Sequence, residues 1–224
     1  MEPERAIRFC GQRMSVIPFD QPGIRGFLHR PDNTADRGLV LTHGAGGNCR
    51  APLLIAAAEA FCAEGLVVLR CDLPFRQRRP TGPPTPSTAA ADREGLRIAV
   101  EAMRGLAPGP IFLGGQSYGG RQATMLAADE PEIASALLLF SYPLHPPGKS
   151  DRLRTEHFPR LRVPAVFVHG TRDPFGSIVE MRSAVTLIPA PTEIIPIADA
   201  GHDLKRGRFD LKPVVAELLA PDER

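Results

Sequence analysis

Two runs late in the chain, residues 134–144 (ASALLLFSYPL) and 163–170 (VPAVFVHG), are apolar at nearly every position. A strand with one wet face alternates apolar and polar residues. A strand without that alternation is covered on both faces, the condition of a parallel sheet clothed by helices. The rest of the chain fits this requirement, because short β-rich runs alternate with helical stretches. Residues 23–31 (GIRGFLHRP), 38–44 (GLVLTHG), 66–74 (LVVLRCDLP), 110–117 (PIFLGGQS) and 192–198 (TEIIPIA) read as further strands. Helices are expected over 50–64, over 87–104 with Ser87 or Thr88 as N-cap, and over 118–128, 174–187 and 210–219. The expected fold class is therefore α/β, a mostly parallel central sheet with helices on both faces. With neither an internal repeat nor an inter-domain linker, residues 1–224 read as one domain.

Two irregular segments interrupt the alternation. Residues 74–86 (PFRQRRPTGPPTP) read as a Pro-rich loop carrying three arginines, and residues 145–162 (HPPGKSDRLRTEHFPRLR) link two strands. Both fall at the carboxyl edge of the sheet, where open α/β folds bind ligands. Neither is long enough to form a cap domain.

Composition narrows the partners. A formal charge of +2 is too small to argue for nucleic acid or an anionic membrane, and the chain has no tryptophan and two tyrosines to offer as stacking platforms. The longest apolar stretches, such as residues 51–61 (APLLIAAAEAF), are too short to span a bilayer. The first residues, MEPERAIRFCG, have no apolar h-region, so no signal peptide is expected and the protein is placed in the cytoplasm. Cys10, Cys49, Cys62 and Cys71 show no CxxC or His spacing of a metal site and read as free thiols. The expected partner is a small-molecule substrate, with no metal or organic cofactor. Oligomeric state is not written in the sequence.

The chemistry concentrates around residues 113–123 (LGGQSYGGRQA), where a strand runs into Gly115-Gln116-Ser117-Tyr118-Gly119 and then a helix. This is the context of a nucleophile elbow. The turn holds the serine in a sparsely populated backbone conformation, and glycines on both sides remove Cβ atoms that would clash. A serine hydroxyl is a poor nucleophile at neutral pH and needs a base, and the base needs an orienting acid. Asp173 follows the strand of VFVHGTRDPFG, and His202 lies in IADAGHDLK after the last strand. The order Ser117, Asp173, His202 is the nucleophile–acid–base order expected of such an elbow. Asp72, after an earlier strand, and Asp151, after the strand following the elbow, are the competing acids; Asp199 and Asp203 flank the histidine. In LTHGAGGN, the turn at His43 can aim backbone N–H groups at a developing oxyanion. Ala45 is the first-choice donor, Gly46 the alternative, and Tyr118 supplies the second N–H. Arg50, Arg76, Arg78, Arg79, Arg121, Arg172, Lys205 and Arg206 fall in segments around the same edge. Of these, Arg76, Arg79 and Arg121, together with Gly46, are candidates for binding substrate, since arginine forks match anionic groups. Arg121 is alternatively placed to pin the Pro-rich loop.

With these elements in hand, the chain resembles an α/β-hydrolase over almost its whole length. It is most similar to small lidless members of dienelactone-hydrolase-like type. Within these, THGAGGN, DLPFRQRRPTGPP and GGQSYGGRQA resemble a branch related to testis-expressed and KAT8-complex-subunit hydrolase-like domains. One departure matters: dienelactone hydrolases of this pattern carry a cysteine nucleophile, where position 117 is serine. The resemblance implies a serine hydrolase of a small ester or thioester. The alternative it leaves open is a non-catalytic module of the same fold used for protein interaction.

Overall fold

The computed structural model describes residues 5–9, 12–33 and 35–220. Among these residues, nine strands form one sheet: β1 (Arg5–Phe9), β2 (Gln12–Gln21), β3 (Ile24–Pro31), β4 (Gly38–Thr42), β5 (Val67–Cys71), β6 (Ile111–Gln116), β7 (Ala136–Phe140), β8 (Ala165–Gly170) and β9 (Thr192–Ile197). Their order across the sheet is β1-β2-β3-β5-β4-β6-β7-β8-β9. The pairings β1/β2, β2/β3 and β3/β5 are antiparallel, and every pairing from β5 to β9 is parallel. The mostly parallel sheet expected from the apolar runs is thus present. β4, β5 and β8 are buried at every residue.

Side-chain alternation divides the interior into two layers. Leu39 and Leu41 point to one face with Val68, Leu138 and Phe140, against α1 (Pro52–Ala63) and α6 (Lys212–Leu219). Val40 points to the other with Leu69, Leu113, Leu137 and Leu139, against α3 (Ala89–Arg104), α4 (Tyr118–Asp129) and α5 (Ile178–Val185). The chain leaves β4 for β5 on one side and returns to β6 on the other. Right-handed crossovers therefore put α1 and α3 on opposite faces. Winding reverses at β4, and the loops after β4 and β6 diverge there to leave a crevice at their carboxyl ends.

Three local expectations are corrected. Residues 74–86 are not all loop, because Pro74 opens a short helix α2 (Pro74–Arg78) with its ring at the first turn, where no amide hydrogen is needed. Ser87 does not cap α3. Residues Pro86–Thr88 form a 3₁₀ turn and α3 starts at Ala89, so Thr88, the other expected residue, holds the N-cap position; its hydroxyl donates to Thr85 O at 2.9 Å and accepts no N–H of the helix. α5 begins after Ser177 and not at Pro174, because Ser177 and Glu180 form a reciprocal capping box. The hairpin of β1 and β2 was not anticipated. Cys10 lies outside the described residues. Cys49, Cys62 and Cys71 are buried free thiols, and burial pushes Cys49 and Cys62 up to about 12. Among the described residues no helix is long and apolar enough to cross a membrane. Among the described residues no cap domain stands over the carboxyl edge.

Candidate active site

β6 delivers Ser117 to the crevice. Its φ of 51° and ψ of −115° are an uncommon conformation for an L-residue, the strained turn expected of the elbow. Ser117 N–H donates to Phe140 O at 2.8 Å, and Ser117 O accepts the Arg121 N–H at 2.9 Å, so the strain is held from both neighbours. Two glycines make room. A Cβ on Gly115 would stand 2.7 Å from Thr42 O, and one on Gly119 would stand 2.6 Å from His43 O. These contacts press the elbow against the end of β4.

The three residues chosen from chain order meet. Ser117 Oγ lies 2.8 Å from His202 Nε2, and His202 Nδ1 lies 2.8 Å and 3.0 Å from the two Asp173 oxygens. An ionised carboxylate only accepts, so Nδ1 carries the proton and Nε2 presents its lone pair to the serine hydroxyl. Asp173 is fully buried at the side chain and takes the Phe175 N–H at 2.9 Å. The Phe175 ring stacks on His202 with centroids 4.1 Å apart, and Gln116 Nε2 donates to His202 O at 3.3 Å. His169, at the end of β8, donates from Nε2 to Gly176 O at 2.8 Å. Burial holds its pKa below the usual histidine range, so it stays neutral while bracing the Asp173 turn. The competing acids are elsewhere. Asp72 takes the Cys49 N–H at 2.6 Å, Asp199 pairs with Arg172, Asp203 caps a 3₁₀ turn, and Asp151 is exposed.

The turn after β4 is pinned by buried side chains. His43 is fully buried. Its Nδ1 donates to Gly44 O at 2.8 Å, and its Nε2 accepts the Leu73 N–H at 3.1 Å, which fixes the neutral tautomer. Burial lowers its pKa in keeping with that assignment. Gly44 O also accepts the Gly47 N–H at 3.0 Å. A trans peptide sets its N–H opposite its C=O, so anchoring Gly44 O aims the Ala45 N–H. Ala45, Gly46 and Tyr118 all line the cleft. Tyr118 is tied down at its far end, where its hydroxyl donates to Asp92 Oδ2 at 2.8 Å. The other oxygen of Asp92, a fully buried carboxylate on α3, takes the Phe75 N–H at 2.9 Å.

The arginines separate. Arg121 lines the cleft, as expected of a substrate-binding candidate. Arg76 does not bind there, a correction with a clear cause. It is buried, and its guanidinium donates to Ala45 O (2.8 Å), Gly47 O (2.8 Å), Gly82 O (3.1 Å) and Arg79 O (3.2 Å). It clamps the turn after β4 to the Pro-rich segment. Arg79 is exposed, donates to Pro83 O within its own loop, and is likewise absent from the cleft. Four residues of the candidate site and its support were missed: Gln116, Phe175 and Arg154, the last a second guanidinium in the cleft wall, and Asp92 behind Tyr118. Asp92 had a signal, since it shares the buried face of α3 with Gly95, Leu96 and Ala99 and is its one carboxylate. The cleft measures about 490 Å³. Among the described residues, no group of three or more His, Cys, Asp or Glu is placed to hold a metal ion.

The geometry can be set beside known proteins. A dienelactone hydrolase from Anabaena variabilis superposes with a TM-score of 0.69 at 19% identity, covering 92% of this chain and 95% of that one. An α/β serine hydrolase homologue from Coxiella burnetii gives 0.70 at 17% identity over 97% of both chains. A lidless α/β serine hydrolase from Xanthomonas campestris gives 0.67 at 18% identity over 91% and 92%. At such identities the likeness is one of fold. Sequence adds the family, since residues 35–212 match the α/β-hydrolase domain. With most of its length inside that match, the chain belongs to the α/β-hydrolase domain family.

Proposed function

We propose that this protein is a serine hydrolase that cleaves a small ester or thioester through an acyl-enzyme. The observation that carries the reading is the unbroken line from Ser117 Oγ through His202 to Asp173, with 2.8 Å at each contact. Ser117 Oγ attacks the carbonyl carbon as its proton passes to His202 Nε2, and the new imidazolium is stabilised by Asp173. The carbonyl oxygen becomes an oxyanion facing the N–H groups of Ala45 and Tyr118. The tetrahedral intermediate collapses, breaking the bond to the alkoxide or thiolate, which takes the proton from His202. Water then attacks the acyl carbon with His202 as base, releasing the acid and restoring Ser117. The serine hydrolase neighbours and the open, lidless edge support a small or surface-presented substrate.

The experiment is labelling with a fluorophosphonate, read by intact mass, on the wild type and on Ser117→Ala. One adduct on the wild type and none on the variant is expected. A well-folded wild type that takes no adduct would sink the reading and leave the interaction module in its place.

A further inference from the structure

The cleft at Ser117 is lined by two guanidinium groups and no carboxylate: Arg121, one turn into α4, and Arg154, between β7 and β8. Carboxylates pair instead with Arg37, Arg97, Arg104, Arg160 and Arg172, none of which lines the cleft. Arg154 is anchored on two sides. Its Nη1 donates to Pro143 O at 3.2 Å, and its carbonyl accepts the Tyr142 hydroxyl at 2.6 Å. Arg121 is placed by its helix, and its Nε is buried without a hydrogen-bond partner. A buried donor left unpaired is costly, and two cations held on one cleft wall repel each other. The effect reaches their neighbours. Burial first, then the charge of Arg121, lowers the pKa of both Arg154 and His157. Cations kept in such an arrangement focus a positive potential on whatever enters the cleft.

Spacing sets the size of the ligand. Arg121 lies in the first turn of α4, its N–H donates to Ser117 O at 2.9 Å, and both residues line the same cleft of about 490 Å³. An anion meeting its guanidinium therefore sits within a short carbon chain of a carbonyl at Ser117 Oγ. We propose that the cleft selects esters or thioesters bearing a carboxylate a few carbons from the scissile carbonyl, with Arg121 and Arg154 as its receptors. This rests on the serine-hydrolase reading and adds a substrate class to it. The carboxylate remains on whichever product carries it and takes no part in bond breaking. It can sit on the acyl side or the alcohol side, and the two are separable.

The test compares kcat/KM at constant ionic strength for two matched pairs. 4-Nitrophenyl hemiglutarate against 4-nitrophenyl valerate probes the acyl side, and 4-butyryloxybenzoate against phenyl butyrate probes the alcohol side. The wild type is expected to prefer the anionic member of one pair by about tenfold to a hundredfold, the range for charge-assisted hydrogen bonds. Arg121→Gln and Arg154→Gln should each bring that ratio down at least fivefold, with melting curves confirming that both fold. No preference in either pair, or a preference that survives both substitutions, overturns the assignment. Failure of the hydrolase reading is seen separately, as a wild type without fluorophosphonate adduct or ester turnover. The arginines are then decided by titrating glutarate calorimetrically into the wild type and the Arg121→Gln/Arg154→Gln double variant. Binding lost in the double variant supports the anion site, and no binding to the wild type overturns it.

Discussion

Arg76 offers the sharpest test of how the cleft is held together, because its role runs opposite to its first expectation. Replacement by methionine keeps the stem and removes four donor contacts: Ala45 O, Gly47 O, Gly82 O and Arg79 O. Arg79 and Gly82 lie in an exposed segment, so water replaces the guanidinium at those two carbonyls. The two bonds to the turn carry the net loss. At about 1.5 kcal/mol each for a charged donor, Arg76→Met should destabilise by about 3 kcal/mol. The catalytic effect follows from the peptide plane. Ala45 O and the Gly46 N–H belong to one planar unit, so freeing that carbonyl loosens the Gly46 N–H directly and the Ala45 N–H, still held through Gly44 O, to a lesser degree. Complete loss of an oxyanion donor costs about a hundredfold to a thousandfold in kcat. A loosened donor should cost about tenfold to a hundredfold. Because the oxyanion exists only in the transition state, KM should hardly move. The assay is kcat and KM on 4-nitrophenyl acetate, with urea denaturation in parallel. A variant that loses activity through KM would refute the clamp and restore Arg76 to substrate binding. One that is destabilised yet within threefold of wild-type kcat would refute the link between clamp and oxyanion.

Three further outcomes are expected. Asp173→Asn replaces the acceptor that fixes the His202 tautomer; kcat should fall by about four orders of magnitude, the scale for this change in a serine triad, with fluorophosphonate labelling slowed in step. Equal labelling rates would remove Asp173 from the triad. Gly119→Ala puts a Cβ 2.6 Å from His43 O, and the forced shift should cost about 1–3 kcal/mol and slow labelling, as read by thermal melting and intact mass. An unchanged melting point would show that the elbow has slack. Acid should destabilise the fold through His29 and His157, which burial first, then Arg70 and Arg121 respectively, hold at about 3 and about 4 against an ordinary 6.5. Both folded-state values lie below the unfolded one, so the unfolded chain binds protons first as pH falls. Stability is full above about pH 6.5 and is lost on descending toward pH 4, by about 2 kcal/mol per histidine at pH 5. Urea midpoints at pH 8 and pH 5 measure this, and His29→Gln should reduce the drop by about 2 kcal/mol. Equal stability at both pH values would contradict it.

How much could be read from the chain depends on how locally each feature is determined. Ser117 was legible because its constraint is steric and short-range. The same glycines that marked it, Gly115 and Gly119, are those whose added Cβ atoms would strike the end of β4. Asp173 and His202 were legible for a topological reason, since parallel strands bring the loops after β8 and β9 to the edge that holds the elbow. The arginines had neither kind of constraint. Arg76 and Arg79 sit three residues apart in a Pro-rich run, yet one turns inward to carbonyls about thirty positions upstream and the other stays in water. Nothing in PFRQRRPTGPPTP distinguishes them, because the acceptors are backbone carbonyls, which every residue carries. Arg154 was missed for a related reason. Its segment has no periodicity, and its meeting with Arg121 depends on the path from β7 to β8. The catalytic geometry is thus encoded by residues that must be what they are for backbone reasons. The charges proposed to choose a substrate are placed by the fold, and only the folded chain shows which of them share a cleft with Ser117.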